Sequence, residues 1–419
     1  MQTTDAIIVG AGAAGLMAAR ELKRAGKTVI VLESNKRVGG RVITLQNTNA
    51  GLPIELGAEF IHGDAPETTR LTDEARLVTV RVAGTHYRSN HGKFALQDPA
   101  WKRMEQVFRY LNPERKKDRS FQEFLDEKHG GRKLADEREL ASSFVQGFNG
   151  ADTKLISEKS IALQGNPTEG ASEARRIVGG YGSLIDYLKR DAAGDIRLNT
   201  RVARISWDES RVRVWDQNGV EYHAHRVILT VPLPMLQDES IAIEPEIPAI
   251  RSAAGKLVMG QVLRAVVVVR ERFWEKKIDA LGYLHAPKRP INVWWTQYPL
   301  RAPTLVAWSG GPRAVEILQS DDVESQIISE LAKVFAMRRG RIEALVDSIH
   351  RHDWTHDPNI RGAYSYSGIG GAYSPRTLAR PFGRVFVAGE ATEAGTVGTV
   401  EAAIVSGKRA ARQAIRELS

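Results

Sequence analysis

Glycines at positions 10, 12 and 15 separate an apolar run, Ala6-Ile7-Ile8-Val9, from a stretch of helical composition, Leu16 to Arg24. A strand, a tight turn and a helix in that order aim backbone N–H groups at whatever sits over the helix N-terminus. Glycine lets a pyrophosphate approach closely there, and the helix dipole favours its charge. The next apolar run, Thr28 to Leu32, ends in Glu33, a carboxylate placed to accept hydrogen bonds from an adenosine ribose. Gly39-Gly40-Arg41 follows, with a second close backbone approach and a rigid donor fork for the pyrophosphate. Gly10, Gly12, Ala14, Gly15, Glu33 and Arg41 are therefore candidate dinucleotide contacts. A different chemistry is suggested by Arg264, inside the apolar run Gln261 to Val267. A cation costs too much there unless it is paired, so Arg264 is expected to face a polar site.

Composition narrows the options. The 419 residues contain no cysteine, which removes disulfides, thiolate nucleophiles, cysteine-ligated zinc and a thioether-tethered flavin. The ten histidines show no metal-ligand spacing, so no metal is expected. A formal net charge of +9 is spread along the chain, with a modest cluster at Arg115-Lys116-Lys117 and Arg119. That pattern reads as a solvated surface, and a nucleic-acid partner is not expected. No run approaches the roughly 18 apolar residues of a membrane span, and the N-terminus has neither a basic head nor a cleavage site. A cytoplasmic protein is expected.

The continuation from Glu33 through Arg41 resembles the fingerprint of the flavin amine oxidase superfamily, and the resemblance extends over the chain. Gly57-Ala58-Glu59-Phe60-Ile61-His62 is similar to the family's loop past the flavin ring. Val178-Gly179-Gly180-Tyr181-Gly182 is similar to its return into the cofactor domain, and Gly389-Glu390 to the acid placed for the ribityl chain. The resemblance implies noncovalent FAD, because Ala363 stands where monoamine oxidases attach the flavin through cysteine. It adds Gly57, Ala58, Glu59, Phe60, Val202, Trp354, Gly389, Glu390 and the backbone N–H of Val400 to the cofactor contacts. A helix N-terminus at Val400 would stabilise charge on the reduced flavin.

For the substrate, the resemblance implies an amine that gives a hydride to flavin N5, hydrolysis of the resulting imine, and reoxidation by O₂ with release of H₂O₂. Tyr364 stands at the first aromatic wall beside the amine. Thr399 stands where monoamine oxidases place a second tyrosine, and His62 in a loop that faces substrate. Both tilt the expectation toward polyamine-oxidase-like substrates. Arg264 stands at the place of the lysine that most relatives hold beside the flavin; Lys256 lies nearby, eight residues out of register. Unlike lysine, arginine stays charged near neutrality, so slow reoxidation by O₂ is expected. Arg264, His62, Tyr364 and Thr399 are the candidate catalytic residues. A desaturase or porphyrinogen oxidase on the same fold, and a flavin-binding protein without turnover, remain open alternatives.

The elements needed to position these residues imply an α/β fold. A Rossmann-like doubly wound FAD domain is expected from residues 1–66, 176–250 and 381–419. A mixed sheet-and-helix substrate domain is expected from 67–175 and 251–380, so both are discontinuous. The first insert carries helical signals, including a capping box from Ser120 to Glu123. The second carries strand-like runs at 261–269, 291–297 and 304–309, then a helix over 323–335. Asn218-Gly219 marks a hairpin.

Overall fold

A computed structural model describes residues 3–46, 49–165, 173–238 and 240–418. Its eight-stranded sheet has the order Ile196–Arg197, Val29–Leu32, Thr4–Val9, Glu221–Leu229, Val212–Asp216, Val202–Trp207, Ala242–Glu244. Val385–Val387 adds to Glu221–Leu229 in parallel. The central strand Thr4–Val9 pairs in parallel on both sides, and Ile7 and Ile8 are buried on opposite faces, which explains its unbroken apolar run. Helices Ala13–Arg24 and Val400–Glu417 pack against each other over this sheet. The Asn218-Gly219 turn joins two antiparallel strands as expected.

A seven-stranded sheet stands beside it, in the order Val346–Arg351, Val262–Val269, Thr304–Gly310, Val293–Trp295, Leu281–His285, Thr85–Asn90, Lys93–Leu96. Strand Val262–Val269 is buried on both faces. Leu263, Ala265 and Val267 pack with helix Val323–Phe335. Val266 and Val268 turn to the other side with Trp295 and Val306. Arg264 shares that second face, because side chains alternate along a strand. The hairpin Thr85–Asn90/Lys93–Leu96 was not expected. Its sequence Thr-His-Tyr-Arg-Ser-Asn shows no apolar alternation, and it joins only because Leu281–His285 offers it an edge. The first insert also supplies the short strand Thr79–Arg81 and several helices, among them Phe121–Asp126, whose capping box forms, and Ala135–Asn149. Among the described residues no helix is long and apolar enough to cross a membrane, and no group of His, Asp or Glu could hold a metal ion.

Candidate functional site

One cavity of about 890 Å³ runs between the two sheets. Its first end is made by the turn after Thr4–Val9. Gly10 has φ +105°, a conformation that favours glycine. A Cβ on Gly12 would meet only the Gly40 Cα, at 4.0 Å, so two backbones flank open space there. That gap, at the N-terminus of a twelve-residue helix, suits a pyrophosphate. The Glu33 carboxylate is oriented by the N–H groups of Ala11 (2.7 Å) and Asn35 (2.9 Å). Gly15, expected among the cofactor contacts, lies behind the cavity instead. Its missing Cβ would sit 1.9 Å from the Gly10 carbonyl oxygen, so it serves the close packing of helix on strand.

Further along, Arg41 donates to Glu390 (2.7 Å) and to the Ala363 carbonyl (2.9 Å). Glu390 also accepts from the Ser365 hydroxyl (2.7 Å). The fork expected to reach the pyrophosphate is thus partly held by the carboxylate expected at the ribityl chain. The eighteen-residue helix Val400–Glu417 opens on the cavity beside them. Thr399 is its N-cap: the hydroxyl donates to Thr396 O (2.7 Å) and accepts from Ala402 N (3.0 Å). Glu401 in the first turn accepts from Thr68 N and Oγ1 and cannot swing into the cavity without losing them. Trp354 is fixed by its indole N–H on the Leu56 carbonyl, 2.8 Å.

The second end is built from side chains. Tyr364 donates to the Phe148 carbonyl (2.8 Å), and burial pushes its phenol above the usual range. His62 packs its ring against Phe60 and Phe148 at 5.6 and 5.8 Å between centroids. Arg264, 5% exposed, donates from Nε to the Glu55 carbonyl (3.0 Å) and from Nη2 to Glu59 (2.7 Å). The expectation that it must be paired is met. Glu59 also takes Arg176 Nε at 2.6 Å and the Trp295 indole at 3.1 Å. Burial alone would raise the Glu59 carboxyl, but the two guanidiniums outweigh it and hold it at about 2. Glu59 was expected to serve the cofactor; its carboxylate is occupied as the shared counter-ion of two arginines. Arg176 and Trp295 were missed. Arg176 carries the same signal as Arg264, a cation beside apolar Ile177-Val178.

Gly10, Gly12, Ala14, Glu33, Arg41, Gly57, Ala58, Glu59, Phe60, Val202, Trp354, Gly389, Glu390 and Val400 all line this cavity. So do His62, Arg264, Tyr364 and Thr399. Lys256 does not.

Comparison with known proteins places these features in context. Residues 13–415 match the family described as flavin containing amine oxidoreductase. Polyamine oxidase 4 of Oryza sativa subsp. japonica is 30% identical over 437 residues, covering 97% of this chain and 87% of that protein. Lysine-specific histone demethylase 1 homolog 2 of the same species is 26% identical, covering 97% of this chain and 56% of its own length. Among solved structures, putrescine oxidase bound to putrescine superposes with a TM-score of 0.84 at 22% identity, over 99% of each chain. Cyclohexylamine oxidase from Brevibacterium oxydans IH-35A gives 0.85 at 21% identity, over 100% of each.

Proposed function

Because this chain belongs to the flavin-containing amine oxidoreductase family, we propose a division of labour along its cavity, one end holding FAD and the other presenting an amine. The activity is FAD-dependent oxidation of an amine, of the polyamine-oxidase-like kind. The carrying observation is that two helix N-termini, at Ala13 and Val400, open on one cavity whose far end is walled by aromatic side chains. Gly12 and Gly40 admit the pyrophosphate, Glu33 the ribose, and Glu390 with Arg41 the ribityl region. The Val400 N–H and its helix dipole favour negative charge at that end. We assign residues 1–66, 176–250 and 381–419 to the cofactor half, and 67–175 and 251–380 to the substrate half.

Bound FAD supplies the two-electron acceptor for the C–H bond beside the amine nitrogen. The protein's part is to orient the amine between Tyr364 and the Thr399 turn and to exclude water with Phe60, Phe148 and Trp308. Neither Glu59 nor Tyr364 is suited to take a proton: the first is pinned between two arginines, the second donates to a carbonyl. Loss of hydride from the adjacent carbon needs the nitrogen lone pair, so the amine reacts as its free base. The test is anaerobic mixing with spermine, acetylated polyamines, aromatic monoamines and L-amino acids. Bleaching of the flavin absorbance by one class is expected, at a rate that climbs with pH as the amine deprotonates. A flavin that no amine bleaches would favour the desaturase-like or non-catalytic alternatives.

A further inference from the structure

Beyond Phe148 the cavity continues along helix Ala135–Asn149 to Ser143. The five residue steps from Ser143 to Phe148 span about 7.5 Å of helix axis, the length of a short alkyl spacer. The wall facing Ser143 is made by Asn292, His285 and Pro287, with His86 and Tyr283 beside them. Asn292 is 4% exposed, and its amide nitrogen donates to the Ser143 hydroxyl at 3.1 Å. Its amide oxygen has no hydrogen-bond partner among the described residues. Exchanging the amide's oxygen and nitrogen only moves the deficit to the other atom. A buried polar atom without a partner costs on the order of 1–3 kcal/mol, so the cavity-lining Asn292 oxygen favours a hydrogen-bond donor reaching it from the cavity.

The charge around this wall sets what that group can be. His86 stacks on Tyr283 (4.7 Å between centroids) and meets His285 through ring nitrogens 3.3 Å apart. Burial, then His86 and Arg88, push His285 down to about 3, so that ring is neutral at physiological pH. Arg313 donates to the Pro287 carbonyl at 2.9 Å, adding positive charge behind the wall.

The carboxylates lining the cavity, among the described residues, are engaged or lie elsewhere. Glu33 and Glu390 stand at the cofactor end, and Glu59 is held by two arginines. Glu401 is held by Thr68, Glu393 stands near Arg409, and Asp64 is exposed on the rim. A second ammonium at Asn292 would meet no carboxylate of the described cavity lining, two histidines of which His285 is neutral, and the positive charge of Arg313 behind the wall.

We propose that Asn292 and Ser143, backed by the His86–His285 pair, form a tail subsite for an amine whose far end is an uncharged hydrogen-bonding group, an amide or a hydroxyl. The inference rests on the amine-oxidase reading and narrows its substrate. The subsite acts by binding and not on the reacting carbon, so its preference resides in the dissociation constant, with the limiting rate little changed.

The experiment is anaerobic stopped-flow reduction of the holoenzyme with matched pairs: putrescine against N-acetylputrescine and 4-aminobutanol, and spermine against N1-acetylspermine. The concentration dependence of bleaching separates the dissociation constant from the limiting rate. The capped or hydroxylated member is expected to bind at least about tenfold more tightly than its polycationic partner. Asn292→Asp, which supplies the missing carboxylate, is expected to shift that ratio by about tenfold toward the polycation. If Asn292→Asp does not fold, Ser143→Ala serves: it removes the hydroxyl that holds the Asn292 amide and is expected to weaken the capped member more than the diamine, so that the ratio between them falls; an unchanged ratio overturns the subsite. Equal or tighter binding of the polycation by the native enzyme overturns the subsite while leaving amine oxidation intact. Absence of bleaching by every amine overturns both.

Discussion

The cofactor end of the cavity is built mainly from backbone, and the substrate end mainly from side chains brought together from distant segments. At the first, Gly10, Gly12 and Gly40 make the surface by what they lack, and two helix N-termini aim N–H groups inward. At the second, Glu59 comes from a loop, Arg176 from a short strand, and Arg264 and Trp295 from the large mixed sheet. A site made of backbone is tied to short contiguous motifs and tolerates no Cβ. A site made of side chains depends on charge balance and tolerates substitution only when partners change together.

The sharpest test of the backbone end contrasts two glycines three residues apart. Gly15→Ala forces a Cβ to 1.9 Å from the Gly10 carbonyl, where neither backbone can yield cheaply. Overpacking of this kind costs about 1–3 kcal/mol or more, and loss of bound flavin together with a melting temperature below that of the flavin-stripped native protein is expected. Gly12→Ala meets nothing closer than 4.0 Å, so the fold should persist and melt at the temperature of the flavin-stripped native protein. It should nevertheless release its flavin, because the methyl occupies the gap facing Gly40. Flavin absorbance relative to protein absorbance, read beside thermal unfolding, separates the two. Retention of flavin by Gly12→Ala would break the claim that backbone approach makes this end.

At the side-chain end the corresponding test is Glu59→Gln, which keeps the shape and leaves two buried arginines without their shared charge. Removing one partner of a buried ion cluster costs about 3–5 kcal/mol, measurable as a drop in the urea midpoint at neutral pH. The carboxyl is held at about 2, below its ordinary 4.5. Its contribution is therefore complete above pH 4.5 and is lost as pH falls through the folded value. The gap between native protein and variant should close over that acidic window. A gap that stays constant down to pH 2 would mean that packing, not charge, holds this end.

These contrasts also explain what the sequence could reveal. The glycine turn, Glu33, the Gly389-Glu390 corner and the helix at Val400 were legible because each is a short run with its own strand or helix attached. Arg264 was legible as a buried cation that needs a partner, yet the partner was not, since nothing in Gly57-Ala58-Glu59-Phe60 announces an approach to strands over a hundred residues away. Arg176, Trp295 and Asn292 were missed for the same reason. The strand Thr85–Asn90 was missed because its faces are half-buried and polar, and it is a strand by virtue of its neighbour.

Arg264→Lys probes the chemistry of the side-chain end with a smaller expected effect. The guanidinium is fixed by Glu55 O and Glu59, and its remaining Nη1 makes no hydrogen bond among the described residues. Lysine would present a compact ammonium that can exchange its proton near neutrality, which arginine cannot. The rate at which the amine-reduced enzyme reacts with O₂ is expected to rise about tenfold, or about 1.4 kcal/mol in barrier. Anaerobic bleaching by the amine should change little. An unchanged oxygen rate constant would end the idea that this position limits reoxidation.

Thr399 sits where the two kinds of construction meet, and its substitution should have the smallest effect. Its hydroxyl is committed on both sides, to Thr396 O and Ala402 N, so it caps the helix that bears Val400. Thr399→Ala should cost about 1 kcal/mol of stability through the lost cap, and Thr399→Ser should restore it. If the threonine matters to catalysis only by holding the helix N-terminus in place, amine oxidation will follow the same order, with serine close to native and alanine modestly slower. If serine restores the melting temperature but the dissociation constant for the amine stays weakened as in alanine, then the methyl group packs on substrate. Thr399 would in that case belong to the side-chain end, and the boundary between the two constructions would lie one residue before the Val400 N–H.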